Sequence, residues 1–338
     1  MIKQLNYPLL KHNTFGIDVL AEQFIQYDSV KELKSLFSEE EWENRSWYHI
    51  GAGSNILFCQ DFEGTILFSG INDLQVEEEF EESVLVSVGA GYTWDDFVDY
   101  AVKQGWGGCE NLSLIPGQVG AAAIQNIGAY GAEVKDIIEW VEVFDTQHNE
   151  VKQITVADCE YDYRYSAFKD KWAGKYIITR VVFRLAKQPV FNLGYGDLRK
   201  RLKEKGEEVT LADVRRTVIE IRNEKLPDPA VLGNAGSFFQ NPYILKTHYE
   251  ELKEEYPDMP CYEVNESVVK IPAAWLIEKC GLKGMRIGDA MVYEKQPLVI
   301  VNTGNATPED IMTLADSVYN EVANTFKIGL SEEVIYIA

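Results

Sequence analysis

The residues best suited to chemistry in this chain are an arginine, a serine and a glutamate. Arg164 lies among aromatic residues in YDYRYSAFK, Ser237 follows the turn sequence GNAG, and Glu333 opens the apolar segment EVIYI. The arginine could clamp a carboxylate, and serine and glutamate are among the residue types that could do acid–base work. Each also has a structural interpretation, namely a cation–π or carboxylate partner, a turn residue and a solvated strand end.

Metal and histidine chemistry are not indicated. The four histidines, at positions 12, 49, 148 and 248, have no ligand spacing, and no HExxH, GxSxG or GxxxxGK[ST] pattern occurs. We therefore expect no bound metal, and acid–base work falls to Ser, Tyr, Lys, Glu or Arg. The five scattered cysteines form neither a disulfide framework nor a zinc site, which is typical of a reducing cytosol.

Two glycine-rich segments could hold an anionic ligand. GAGSN (51–55) follows an apolar strand, and residues 117–132 contain nine Gly or Ala in sixteen and no charge. Their backbone N–H groups could form a nest suited to a pyrophosphate. Ile56 stands where a dinucleotide-binding fingerprint needs its third glycine. Tight connections and close packing of a buried segment therefore remain as alternatives.

Composition restricts the class of protein. The chain has 338 residues, is 46% hydrophobic and carries a net charge of −22. That charge would repel nucleic acid and anionic lipid, and no apolar run is long enough for a membrane helix. We expect a cytoplasmic, monomeric protein whose partner is a small molecule, held where basic side chains offset the overall field.

Short strands with few helices in the first half predict an α+β fold and not a doubly wound sheet. We place the main domain boundary in 186–209 and expect the acid run 77–82 to be a hairpin or loop. The predicted strands are 47–50, 65–68, 84–88, 140–145, 176–185 and 333–337. The predicted helices are 29–44 after Ser29, the segment from a Thr93–Asp96 capping pair to Gly105, 210–229 after Thr210, 273–281, and 307–326 capped by Thr307.

Taken together, these segments resemble the UDP-N-acetylenolpyruvoylglucosamine reductase family, whose members use FAD and NADPH to make UDP-N-acetylmuramic acid for peptidoglycan. The resemblance spans nearly the whole chain, and its longest strings are highly specific. The matching segments are HNTFGI (12–17), GAGSNILF (51–58), GAGYTWDDF (89–97), LIPGQVGAAAIQNIGAYGAE (114–133), YRYSAFK (163–169), EKLPDPAVLGNAGSFFQNP (224–242), AAWLIEKCGLKG (273–284), VNTGNAT (301–307) and LSEEVIYI (330–337).

The resemblance implies an FAD-binding domain of the vanillyl-alcohol-oxidase (PCMH) type, with subdomains at 1–70 and 71–190. It further implies an α+β substrate-binding domain at 205–330 and a final strand, 331–338, that carries the catalytic glutamate. NLGYGDL (192–198) is similar to the loop that bears a substrate-contacting tyrosine in one subtype of the family.

The same resemblance implies a role for individual residues. Ser237 would protonate the substrate carbanion, while Arg164 and Glu333 would stabilise the enolate-like intermediate. The implied FAD contacts are Gly51, Ala52, Gly53, Ser54, Asn55, Ile56, Pro116, Gly117, Gly120, Gln125, Asn126, Gly128, Ala129 and Tyr130. The implied substrate contacts are Tyr195, Lys225, Asn241 and Gln296. No histidine lies in 50–58, where covalent relatives in the wider superfamily often carry one, so FAD is expected to bind non-covalently.

Two positions depart from the family pattern. Ile335 stands where an arginine often follows the catalytic glutamate, which puts any contact of that arginine in doubt, and Ala123 stands where proline is frequent. Two other functions compete with the reductase. One is another FAD oxidoreductase with a different acceptor, which would not need a proton-donating serine. The other is a non-catalytic nucleotide-sugar-binding protein, which would not need the catalytic set.

Overall fold

A computed structural model describes residues 1–39, 42, 45–194, 197–203 and 208–338. The chain divides into two compact units, neither of which is continuous in sequence. The first unit consists of Met1–Tyr7, Ala21–Ala52 and Glu63–Glu224, and the second of Pro8–Leu20, Gly53–Phe62 and Lys225–Ala338.

The described elements are mainly short strands with helices between them, as expected for an α+β fold. The strands are β1 (Ile2–Pro8), β2 (Leu20–Tyr27), β3 (Trp47–Ile50), β4 (Ile56–Phe58), β5 (Phe62–Ser69), β6 (Leu74–Glu79), β7 (Ser83–Gly89), β8 (Gly128–Ala129), β9 (Ala132–Glu133), β10 (Ile138–Asp145), β11 (Glu150–Thr155), β12 (Tyr176–Ala186), β13 (Gly233–Ser237), β14 (Tyr243–Leu245), β15 (Tyr262–Glu263), β16 (Val268–Lys270), β17 (Arg286–Ile287), β18 (Ala290–Val292), β19 (Val299–Asn302) and β20 (Ile335–Ile337). The α-helices are α1 (Val30–Leu36), α2 (Trp94–Lys103), α3 (Val119–Gln125), α4 (Leu198–Lys203), α5 (Leu211–Lys225), α6 (Lys246–Glu255), α7 (Ala273–Lys279) and α8 (Pro308–Phe326). None of the described helices is both long and apolar enough to cross a membrane.

The first unit is organised around two sheets, with strand orders β1-β2-β5-β3 and β11-β10-β12-β7-β6. Strand β3 runs parallel to β5, and this pairing delivers the chain to Gly51. Helix α2 buries an apolar face against the second sheet, where the rings of Phe97 and Phe183 stack with centroids 4.6 Å apart. This core is the support for α3 and the loop that precedes it.

The second unit has a sheet of order β13-β19-β18-β17, a smaller sheet of order β14-β16-β15, and the parallel pair β20-β4. Helix α8 buries Ile311, Leu314, Val318, Val322 and Phe326 along one face. At its start Thr307 and Asp310 form a reciprocal capping box, which confirms the predicted helix start.

Most predicted elements are confirmed, with shifted ends. Helix α1 has the predicted Ser29 cap but stops at Leu36, because Phe37 turns inward to contact Trp42, Trp47 and Phe144. The acid run 77–82 belongs to the hairpin formed by β6 and β7, which is one of the two structures expected for it.

The capping pair predicted at the start of α2 is wrong, because the Thr93 side chain makes no cap hydrogen bond. Thr93 instead forms an isolated bridge with Gln118, and the Trp94 N–H donates to the Gly117 carbonyl (3.0 Å). Helix α5 ends at Lys225, ahead of Pro227, and α3 lies within a segment for which the sequence predicted no helix.

Candidate active site

The small residues of the first glycine-rich loop and of α3 allow two backbones to approach closely. A Cβ on Gly51 would lie 3.0 Å from Ala121 Cβ, and a Cβ on Gly120 would lie 2.8 Å from Ala90 Cβ. Both glycines therefore have a packing role, which was one of the two interpretations the sequence left open.

These loops also present donors for an anion. The backbone N–H groups of Ala52, Gly117 and Gln118 have no acceptor within the described part of the chain. All three residues belong to the first unit. The Gln118 side chain is used elsewhere, since its Nε2 donates to the carbonyls of Ser69 (3.3 Å) and Gly91 (3.1 Å). Backbone donors left over in glycine-rich loops fit the pyrophosphate of a dinucleotide such as FAD. Pro116, immediately before them, is exposed.

Arg164 occupies a two-residue turn in which Asp162 and Tyr165 exchange backbone hydrogen bonds of 3.1 and 3.0 Å. Its φ of +54° lies in the left-handed region that favours glycine. The guanidinium donates from Nη2 to the Gly128 carbonyl (2.7 Å) and from Nη1 to the Asn126 carbonyl (3.4 Å). These carbonyls aim the charged group. Backbone strain at such a position is often retained at functional sites.

The loop that receives Arg164 is itself tightly specified. Asn126, buried and with φ +43°, donates from Nδ2 to the Asp162 carbonyl (2.8 Å) and accepts from the Lys135 N–H (3.2 Å). Gly128 and Ala129 then form the short strand β8, and Gln125 is the partly buried last residue of α3. This arrangement fixes the carbonyls that orient Arg164.

Tyr130 follows β8 and packs against the apolar cluster of α4 and α5 that includes Leu198 and Val218. Burial raises the pKa of its phenol, so Tyr130 is neutral and a hydrogen-bond donor at physiological pH.

In the second unit, the loop from Gly53 to Asn55 packs against the HNTFGI segment. The Gly53 carbonyl accepts from the Thr14 N–H (3.1 Å) and hydroxyl (3.2 Å). Gly53 has φ +70°, and a Cβ there would lie 2.0 Å from the His12 carbonyl oxygen. Only glycine fits this position.

Gly53→Ala is expected to lower the free energy of unfolding by about 3–5 kcal/mol, since both backbone strain and the collision with His12 would oppose folding. Gly105→Ala is the matched control, because Gly105 has φ +78° but open space where a Cβ would lie, so only strain of about 1–2 kcal/mol applies. Urea unfolding of the two variants measures the difference. Equal losses would show that the contact with His12 is unimportant.

The second unit brings Ser237 and Glu333 onto neighbouring antiparallel segments. The Glu333 N–H donates to the Phe238 carbonyl (2.8 Å), and the Gln240 N–H donates to the Ser331 carbonyl (2.8 Å). Asn55 joins the same place, since its Nδ2 donates to the Glu333 carbonyl (3.0 Å) and its carbonyl accepts from the Ile335 N–H (3.0 Å). These hydrogen bonds assemble three segments that are distant in the sequence at one location.

Ile335, Ser54 and Ser237 lie in the segments that meet at this location. Ile335, which departs from the family pattern, pairs with Ile56 in the register of β4 and β20. It therefore serves there as an apolar strand residue. Ser54 is half-buried beside Asn55. The Ser237 hydroxyl is partly exposed and makes no hydrogen bond to the described residues, so its proton is available to a ligand.

Three predicted substrate contacts also lie in the second unit. Lys225 is exposed, and Asn241 accepts from the Ala273 N–H through Oδ1 (2.9 Å). Gln296 has a buried Oε1 without a hydrogen-bond partner among the described residues. Tyr195 lies outside the described residues. Ala123, the second departure from the family pattern, is fully buried inside α3.

Sequence reasoning missed the support of the loop that carries Pro116 and Gly117. Leu114 has φ +58°, its N–H donates to Asp95 (2.5 Å), and its carbonyl accepts from Arg222 Nε (3.2 Å). Although burial opposes ionisation of Asp95, hydrogen bonds from Arg215 and Leu114 hold the pKa of Asp95 below its ordinary value. Burial lowers the pKa of Arg222. The family motif that begins at Leu114 does not reveal this support, because the partners of Leu114 come from distant helices.

Two family models match the chain. The family model described as UDP-N-acetylenolpyruvoylglucosamine reductase, C-terminal domain, matches residues 228–337, and one described as FAD binding domain matches residues 21–153.

Two curated relatives and one solved structure cover almost the whole chain. The reductase of Bacteroides fragilis (strain YCH46) is 50% identical over 331 residues, 98% of this chain and 99% of the relative. That of Porphyromonas gingivalis (strain W83) is 45% identical over 332 residues, 98% of each chain. A solved reductase from Thermus caldophilus is 23% identical, matches 100% of this chain and 98% of its own with a TM-score of 0.69, and supports the predicted fold. The chain therefore belongs to the UDP-N-acetylenolpyruvoylglucosamine reductase family.

Proposed function

We propose that this chain reduces the enolpyruvyl ether of UDP-N-acetylglucosamine to UDP-N-acetylmuramate, with NADPH as reductant and bound FAD as hydride carrier. The reaction is a cytoplasmic step of peptidoglycan precursor synthesis. The observation that carries the proposal is the Ser237 hydroxyl, which has no hydrogen-bond partner in the described part of the chain and is held beside the segment of Glu333. The chain is also 50% identical to the UDP-N-acetylenolpyruvoylglucosamine reductase of Bacteroides fragilis (strain YCH46).

The protein groups have separate tasks in this reaction. Bound FAD would supply the hydride chemistry, which carries hydride from NADPH to the alkene of the substrate. Arg164 and Glu333 stabilise the negative charge that then develops beside the substrate carboxylate. Ser237 holds a proton at Oγ and donates it to the carboxylate-bearing carbon, while the hydride goes to the terminal alkene carbon.

We assign FAD binding to the subdomains 1–70 and 71–190, substrate binding to 205–330, and the catalytic glutamate to the terminal strand segment 331–338. The N–H groups of Ala52, Gly117 and Gln118, which have no acceptor among the described residues, support a pyrophosphate contact in the FAD-binding subdomains. We further propose non-covalent FAD, a monomeric enzyme, and no nucleic-acid or membrane partner.

Basic side chains must offset the repulsion between a nucleotide-sugar diphosphate and a chain of net charge −22. Lys225, at the end of α5, has this role in the proposal. Lys225→Ala is expected to raise the substrate KM by about tenfold with little change in kcat, because a charged contact to the ground state is lost.

Steady-state kinetics measure this effect. Lys283→Ala is the control, since Lys283 pairs with Glu278 on α7 at 2.6 Å and has no proposed contact with ligand. An unchanged KM for Lys225→Ala would remove that residue from the site.

The proposed function is tested by the visible spectrum of the purified protein under anaerobic conditions. A flavin band should bleach with NADPH and return when the enolpyruvyl ether is added. Bleaching without recovery would indicate a flavin reductase with another acceptor. Absence of a flavin band, even after reconstitution with FAD, would favour a nucleotide-sugar-binding protein.

A further inference from the structure

Two asparagines outside the predicted site hold the loop that follows β8. The Asn111 amide is 2% exposed, and its Nδ2 donates to the carbonyls of Tyr130 (2.9 Å) and Asn192 (2.8 Å). Asn192 in turn donates from its own Nδ2 to the Gly131 carbonyl (2.8 Å). Three hydrogen bonds thus connect positions 111, 130–131 and 192, all within the first unit.

The orientation of Asn111 is set by its donor side. Its Oδ1 is buried and has no partner among the described residues, whereas both protons of Nδ2 are used. A buried acceptor without a hydrogen bond lowers stability. Asn111 keeps such an acceptor while its Nδ2 donates to two carbonyls, so those two hydrogen bonds determine the orientation of its amide. A carboxylate of the same shape would face both carbonyl oxygens and repel them.

The held residues lie next to those that aim Arg164. Strand β8 ends at Ala129, which pairs with Ala132 across the turn made by Tyr130 and Gly131. Tyr130 has φ +49°, a region that only glycine adopts freely, so its backbone has little freedom to compensate for a displaced carbonyl. At the other end of β8, the Gly128 carbonyl receives the Arg164 guanidinium at 2.7 Å.

We propose that Asn111 and Asn192 are positioning residues that set the orientation of the Arg164 guanidinium through the turn at Tyr130–Gly131. The proposal rests on the proposed role of Arg164 in the reduction of the enolpyruvyl substrate. Neither asparagine contacts the reacting atoms in this assignment. Because their effect is exerted through Arg164, it falls on the half-reaction in which negative charge develops.

The test uses the flavin-loaded enzyme and rapid-mixing spectroscopy of each half-reaction. Asn111→Asp should slow flavin reoxidation by the enolpyruvyl ether on the order of 10- to 100-fold, as expected for a misplaced catalytic group. Asn192→Ala, an exposed change, should slow it about threefold. Flavin reduction by NADPH should stay within about twofold of wild type in both.

Asn149→Asp is the matched control. Its Nδ2 also bridges two groups, the Lys34 carbonyl (3.2 Å) and the Ser38 hydroxyl (2.7 Å), and its Oδ1 is also without a partner among the described residues. This change should leave both half-reactions at wild-type rates. If Asn111→Asp does not fold, Asn192→Ala alone decides the question.

Unchanged reoxidation in both variants, or an equal slowing of both half-reactions, would overturn the proposal. These outcomes are distinct from failure of the proposed function, in which the wild-type flavin is not reduced by NADPH or is not reoxidised by the enolpyruvyl ether.

Discussion

Ser237→Ala should leave flavin reduction by NADPH nearly unchanged and slow reoxidation by the enolpyruvyl ether by about 10²–10⁴-fold, the usual cost of losing a general acid. The hydroxyl makes no hydrogen bond to the described protein, so its removal breaks no internal contact and should not change stability greatly. Anaerobic stopped-flow absorbance of the flavin band measures the two half-reactions separately.

Ser331→Ala is the control for this change. Ser331 lies on the segment paired with the one that carries Ser237, but its carbonyl and not its hydroxyl forms the link, to the Gln240 N–H (2.8 Å). We expect wild-type rates for this variant. Equal loss in both half-reactions of Ser237→Ala would contradict the assignment of Ser237 as proton donor, because NADPH oxidation needs no such donor.

Arg164→Met should slow the same half-reaction by about 10²–10³-fold, since a preorganised charge is removed from the place where negative charge develops. Arg164→Lys should lose less, because it keeps the charge but not the planar fork that meets the carbonyls of Gly128 and Asn126. Both variants inherit the same positive φ, so their comparison separates charge from backbone strain.

Arg184→Met is the reference substitution for Arg164→Met. Arg184 forms a two-point ion pair with Glu139 (2.8 Å each) on the second sheet of the first unit and should affect neither half-reaction. If Arg164→Met reoxidises as fast as wild type, charge stabilisation must come from another residue.

The sequence predicts those structural features that depend on residues adjacent in the chain. The helix start at Thr307 and the hairpin, one of the two forms expected for 77–82, each follow from a few adjacent side chains. The family resemblance also implies catalytic roles for Ser237 and Glu333. These roles stay a prediction, and the structure places the two segments side by side.

What the sequence does not predict depends on distant partners. Nothing near Leu114 indicates that Asp95 and Arg222 will hold it in a left-handed conformation. Nothing near Asn111 indicates that its amide will serve carbonyls 19 and 81 positions away. Helix α1 stops early for the same reason, since aromatic partners of Phe37 outweigh the local preference for helix.

The discontinuity of the second unit has a consequence for biosynthesis. A ribosome releases residues 8–20 and 53–62 long before residues 225–338, with which they fold. Strand β4, whose residues Ile56, Leu57 and Phe58 are all buried in the finished protein, must wait for Ile335–Ile337 to be translated. The nascent chain therefore exposes an apolar strand without its partner through most of its synthesis. The yield of folded protein should depend on chaperones that bind the second unit as it emerges.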